Sequence, residues 1–148
     1  MDLDEETKND LMDGFRDLSR DVETYLTSLV DEDDQESLNA LFRDVHSIKG
    51  NAAMCGLTVL VDYTHALEEV AESLRSGRYH ITPLLGETMQ LGMDRLRDLH
   101  YREICGQHFE ELFEQELAEL FLVLSDAQQV SVDTVCGQVL ECLGVEYT

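Results

Sequence analysis

Apolar residues recur along this chain at alternating gaps of four and three. Leu11, Phe15, Leu18, Val22, Tyr25 and Leu29 form one such stripe with charged residues between them, which predicts a helix over about residues 5–30. The acidic run Asp31-Glu32-Asp33-Asp34 breaks it and would sit near the start of the next helix, where the helix dipole favours negative charge. A calcium loop does not fit that run, because the twelve-residue ligand pattern with its central glycine is absent. A second helix turns Leu38, Leu41, Phe42, Val45, Ile48 and Ala52 toward a core, and Gly56 is placed to end it. A third begins near Leu57 or Thr58, turns Leu60, Leu67, Val70, Ala71 and Leu74 inward, and stops around Ser76-Gly77. Thr82-Pro83 reads as a cap residue followed by proline in the first turn of a fourth helix. That helix would bury Leu84, Leu85, Met89, Leu91, Met93, Leu96 and Leu99, despite the weakening glycines Gly86 and Gly92.

Short connections between amphipathic helices make them antiparallel neighbours, so the expected class is all-α, an up-down four-helix bundle over residues 1–104. Beyond it the pattern resumes with Phe109, Leu112, Phe113, Leu117, Leu120, Phe121 and Leu124, and a short helix near Val132–Leu143 follows Ser131 as its cap. This extension, residues 105–148, has its own apolar face and is expected to pack on the bundle or on a second copy as a homodimer.

Composition sharpens the picture. The formal net charge of −22 excludes DNA, RNA or an anionic membrane surface as partner. Most of these carboxylates are read as a solvated outer face. Cys55, Cys105, Cys136 and Cys142 show no metal-ligand or paired spacing and read as small buried hydrophobes in a reducing compartment. No apolar run is long enough to span a bilayer, and the acidic N-terminus lacks the pattern of a secretion signal, so a cytoplasmic location is expected. The methionine start and the helical tail suggest a free-standing protein.

The candidate chemistry lies in His46-Ser47-Ile48-Lys49-Gly50, with Ala52, Ala53 and Gly56 following. Residues three and four apart on a helix are neighbours, so His46 lies beside both Lys49 and Gly50. His46 falls at the edge of the apolar stripe, one residue's rotation from Val45, so its ring is expected to reach solvent. An imidazole offers an unprotonated nitrogen near neutral pH, and a neighbouring cation offsets the charge of a phosphoryl group. Glycine inside a helix costs about 1 kcal/mol relative to alanine. Gly50 is best explained by the close approach of a partner to His46, and Ala52 and Ala53 either keep the surrounding surface low in the same way or allow close helix packing. His80, His100 and His108 fall in turns or on polar faces and are read as uninvolved; Ala52 and Met54 are read as structural.

This motif, with Tyr63-Thr64-His65-Ala66-Leu67-Glu68 downstream, resembles histidine phosphotransfer domains, most of all the N-terminal phosphotransfer domain of chemotaxis-type histidine kinases. The resemblance covers about residues 5–104. It implies that His46 is phosphorylated, with Lys49, His65 and Glu68 around it. Glu68 would accept the N–H of one ring nitrogen and so fix the tautomer that leaves the other free, and His65, three residues away on the same face, would join Glu68 and His46 in a hydrogen-bonded network. It also implies two partners, a histidine kinase and a response-regulator receiver domain, the latter docking against Phe42, Gly50 and Ala53. No nucleotide-binding loop is present, so the chain is not expected to phosphorylate itself from ATP, nor to carry a cofactor or metal of its own. Two other readings differ in class. One is a docking or dimerisation module of the same fold that uses residues 105–148. The other is a carboxylate-histidine metal bundle, disfavoured because His65-x-x-Glu68 reverses the Glu-x-x-His order such sites need.

Overall fold

The computed structural model describes residues 4–29, 35–107 and 111–145, the side chains of 19, 28 and 29 excepted. Six helices follow in order, α1 (Glu5–Leu29), α2 (Gln35–Met54), α3 (Thr58–Arg75), α4 (Pro83–Ile104), α5 (Glu111–Asp126) and α6 (Gln129–Cys142), with no strand among the described residues. The run Asp31–Asp34, Phe109, His108 and the side chain of Leu29 lie outside the described residues.

The punctuation acts where local chemistry demands it. Gly56 and Gly77 take positive φ, 72° and 78°, just after α2 and α3. Thr82 is extended and its hydroxyl accepts the Leu85 N–H at 3.2 Å, so α4 starts on a side-chain cap with proline behind it. At the start of α3 no side chain of its own caps the helix; the Glu103 carboxylate, from the end of α4, accepts the Leu60 N–H at 3.1 Å. These turns fold α1 onto α2, α2 onto α3, α3 onto α4 and α4 back onto α1, a closed ring of four helices. Among the described side chains of α1 the buried ones are Phe15, Val22 and Leu26; Leu26 takes the deep position expected of its neighbour Tyr25, which is half-buried.

The extension packs on this ring. Helix α5 lies against α3, and α6 lies against α5 and α4. Leu117, Phe121 and Leu124 are buried there, while Leu112, expected to face inward, is 73% exposed in the first turn of α5. The C-terminal carbonyls of α5, which its own helix cannot satisfy, take their donors from α3 and the turn after it. Ser73 and Arg78 donate to the Ser125 carbonyl at 2.5 and 3.0 Å, and the Tyr79 hydroxyl donates to the Leu124 carbonyl at 2.9 Å. Helix α6 starts three residues before the expected position, with Gln128 as its cap residue. Ser131 is inside it, its hydroxyl donating back to the Gln128 carbonyl.

Gly92 is a seat rather than a weakness. A Cβ there would lie 2.7 Å from the Phe121 ring, and the Gly92 carbonyl accepts the hydroxyl of buried Tyr63 at 2.8 Å. Other residues depart from the sequence reading in how deeply they are buried. Of the cysteines only Cys136 is buried; Cys105 is exposed and the other two are half-buried, all as free thiols. Glu114 is not solvated: it is 1% exposed and paired with Arg95, whose guanidinium also lies over Phe113. Met54, read as structural, is 86% exposed at the end of α2.

His100 is likewise not on a polar face. It is 6% exposed and stacked on Phe15 with ring centroids 4.1 Å apart, and burial pushes its pKa down to about 4. A histidine with an ordinary pKa of about 6.5 when unfolded therefore binds its proton more readily in the unfolded chain. Its contribution is full above pH 6.5 and is lost as pH falls from there toward 4. The loss is on the order of 3 kcal/mol once both values are passed. Urea titrations across that window should show this loss in the wild type and not in His100→Phe, which keeps the stack; equal acid sensitivity in the two would refute it.

Candidate functional site

Glu68 is the centre of the site. It sits on α3 with its carboxylate only 8% exposed, facing the helix that carries His46 and Lys49. The register follows from the two apolar stripes: Val45 and Ile48 on α2, and Leu67 and Ala71 on α3, are buried. Their packing brings the edges of both helices together. His46 Nδ1 lies 2.5 Å from Glu68 Oε2, and Lys49 Nζ donates to Glu68 Oε1 at 2.7 Å. Each carboxylate oxygen thus has one hydrogen-bond partner.

Burial pushes the Glu68 carboxyl up, but the hydrogen bonds from Lys49 and His46 and the charges behind them outweigh it and leave the pKa lowered. The group is therefore an ionised carboxylate at neutral pH, and an ionised carboxylate only accepts. The proton in the 2.5 Å contact then belongs to Nδ1, and in the neutral form of the ring Nε2 carries the lone pair. The ring is open to solvent, with its side chain 61% exposed.

The other expected residues divide. His65 is on the rim, half exposed, with Nδ1 3.8 Å from Glu68 Oε1 and Nε2 3.9 Å from Glu69 Oε1; these are ion-pair distances and not hydrogen bonds. Gly50 is exposed, and a Cβ added there would meet nothing within 4 Å. No contact among the described residues therefore requires glycine at that position. Ala53 is exposed beside it, whereas Ala52 is buried in the core. Phe42 is half-buried, and its ring lies within 12° of parallel to the His46 ring with centroids 6.1 Å apart. Sequence reasoning missed Arg75, whose guanidinium lies 3.9 Å from the centroid of the Phe42 ring. The only signal was a cation at the end of the helix that carries Glu68.

His65, Glu68 and Glu69 bring one potential ligand atom each within 4.8 Å of one another. The Lys49 ammonium already holds one Glu68 oxygen, and a metal ion there would face that charge. The geometry instead suits an anionic group delivered from outside to an oriented imidazole with an ammonium beside it. Among the described residues no helix is long and apolar enough to cross a membrane.

Comparison with known proteins agrees with that chemistry. Residues 10–99 match the model of the Hpt domain, a stretch from α1 into α4 that contains His46, Lys49, His65 and Glu68. Chemotaxis protein CheA of Cereibacter sphaeroides is 39% identical over 90 residues, covering 61% of this chain and 13% of that protein. CheA of Rhizobium meliloti is 33% identical over 109 residues, 73% of this chain and 14% of that protein. CheA of Salmonella typhimurium is 43% identical over 65 residues, 43% of this chain and 10% of that protein. The chain thus spans a small fraction of the length of the relatives it matches. With more than half of its length matched by the family model, it belongs to the Hpt domain family, the histidine phosphotransfer modules of phosphorelays.

Proposed function

We propose that His46 is the phosphoryl-carrying residue of this module, exchanging its phosphoryl group with an aspartate of a response-regulator receiver domain, with a histidine kinase as the second partner. The observation that carries the reading is the 2.5 Å contact between His46 Nδ1 and the Glu68 carboxylate, which leaves Nε2 as the nucleophile on an exposed ring. Nε2 attacks phosphorus of the donor, a P–N bond forms, and the bond from phosphorus to the donor oxygen breaks as that oxygen leaves. The Nδ1 proton stays in place, and the positive charge that grows on the ring is met by Glu68. Lys49 spends one of its three donors on Glu68; the others serve the phosphoryl oxygens. His65, at the rim, adds a titratable group beside the carboxylate without bonding to it.

Catalytic groups beyond these, including magnesium, belong to the partner. Gly50 and Ala53 leave the surface beside His46 low enough for a partner loop to reach the ring. Residues 1–104 constitute the transfer unit and residues 105–148 brace it through α3, the helix that also supplies Glu68. The exchange takes place in the cytoplasm, where receiver domains and kinase catalytic domains operate.

Incubation with a phosphorylated receiver domain, or with radiolabelled phosphoramidate as a small donor, tests the assignment. The expected product is an acid-labile, alkali-stable label that is absent from His46→Gln. Label retained by that variant, or none on the wild type with either donor, would remove the carrier role.

A further inference from the structure

The hydrogen bond to Glu68 fixes one edge of the His46 ring and leaves the plane of the ring to be set by something else. An imidazole side chain has two torsions, and a single contact at Nδ1 constrains one combination of them. In-line attack on phosphorus needs the Nε2 lone pair held to within about 10–20° of the productive direction. The second constraint comes from Phe42, one helical turn before His46, with its ring 12° from parallel and 6.1 Å away, an offset-stacked arrangement.

Phe42 is itself held from α3. The Arg75 guanidinium carbon lies 3.9 Å from the Phe42 ring centroid, a cation–π contact. Arg75 is the last residue of α3, and two further contacts fix it. Its guanidinium forms an ion pair with Glu72 at 2.5 Å, and its main-chain carbonyl accepts from Gln35 Nε2 at 3.1 Å. Gln35 opens α2, so this bond ties the end of one helix to the start of the other. The guanidinium, the phenyl ring and the imidazole form a continuous chain of contacts from the end of α3 to the nucleophile.

We propose that Arg75 is a positioning residue for His46, acting through Phe42 to fix the plane in which Nε2 is presented. The proposal rests on the reading of His46 as the phosphoryl carrier and assigns Phe42 an internal task in place of the partner-docking one its sequence position suggested. Glu68 and Phe42 then divide the work: the carboxylate selects the tautomer, and the phenyl ring selects the orientation.

Three variants test this, Arg75→Met, Arg75→Lys and Phe42→Leu, each in the full chain. In unphosphorylated protein, three-bond couplings to the His46 ring report its torsions, and side-chain nitrogen shifts across pH report its tautomer. Labelling of His46 by phosphoramidate reports the rate without any protein partner. Arg75→Met should broaden the torsion distribution and slow labelling about two- to fivefold, the range expected for loss of one exposed cation–π contact. Arg75→Lys keeps a cation for the ring and should recover most of the rate; Phe42→Leu should slow it up to about tenfold. The tautomer should stay unchanged throughout, because Glu68 is untouched. A bracing role alone would lower the melting temperature while leaving the couplings as they are. Couplings like the wild type's in both Arg75→Met and Phe42→Leu overturn the proposal. Failure of the wild type itself to take label would count against the carrier reading, and the couplings would still decide whether Arg75 orders the ring.

Discussion

Replacing Glu68 with glutamine is expected to slow phosphoryl uptake on His46 by about 10- to 100-fold, the range seen when a metal-ligating histidine loses the hydrogen-bonded group that orients it. The size of the effect comes from the proton. Ionised Glu68 can only accept, so Nδ1 must donate, and in the neutral form of the ring Nε2 is left bare. The glutamine amide can donate as well, and where its NH2 faces Nδ1 it stabilises the tautomer with the proton on Nε2, which has no lone pair to offer. The substitution also strips Lys49 of the charge it pairs with at 2.7 Å. Rates with phosphoramidate or a phosphorylated receiver should fall together, with side-chain nitrogen shifts moving toward the Nε2–H form. A rate within twofold of the wild type would show that the carboxylate is not the orienting group. Because the Glu68 pKa is lowered, the wild type should keep its orienting contact at pH values where an ordinary glutamate has begun to protonate.

Phe121→Ala should cost about 3–5 kcal/mol of unfolding free energy. The ring is fully buried, meets Tyr63 edge to face at 6.0 Å, and occupies the space that Gly92 leaves open. Truncating it removes an apolar contact that α5 makes with both α3 and α4, and the hole is walled by a glycine that cannot fill it. The Tyr63 hydroxyl would keep its bond to the Gly92 carbonyl, so the cavity would persist instead of collapsing. Urea unfolding followed by helical signal gives the measurement. A loss below about 1 kcal/mol would mean that α5 is not part of the cooperative core, a result at odds with its burial. Since α3 carries Glu68 and His65, a loosened α5 should also raise hydrogen exchange along α3.

How much of this was legible beforehand depends on the range of the interaction. Helices α1 to α4 could be read because their cause is local: the 3.6-residue turn, a threonine before a proline, a glycine after a stripe. The histidine motif was legible for the same reason, since His46, Lys49 and Gly50 are helical neighbours whatever else the chain does. Misreadings arose where the deciding partner is remote in sequence. His100 is buried because Phe15 lies across from it, Glu114 because Arg95 reaches it, and Gly92 matters because Phe121 arrives later in the chain. Arg75 belongs to the same group, invisible until α3 is laid against α2 and its guanidinium meets Phe42.

By itself the sequence determined that the chain is helical, that its helices fold back on one another, and that one exposed histidine has a lysine and a bare glycine beside it. These depend on backbone geometry and on side chains a few residues apart. The family resemblance named Glu68 as the acid beside that histidine, but only the tertiary structure decided at which nitrogen the two meet and which ring lies alongside. It also decided that α5 and α6 pack on the bundle through α3 and α4. The reason is geometric: a one-residue change in how α3 meets α2 turns Glu68 by about 100° around its helix axis and away from the imidazole, and no local pattern in either helix sets that register.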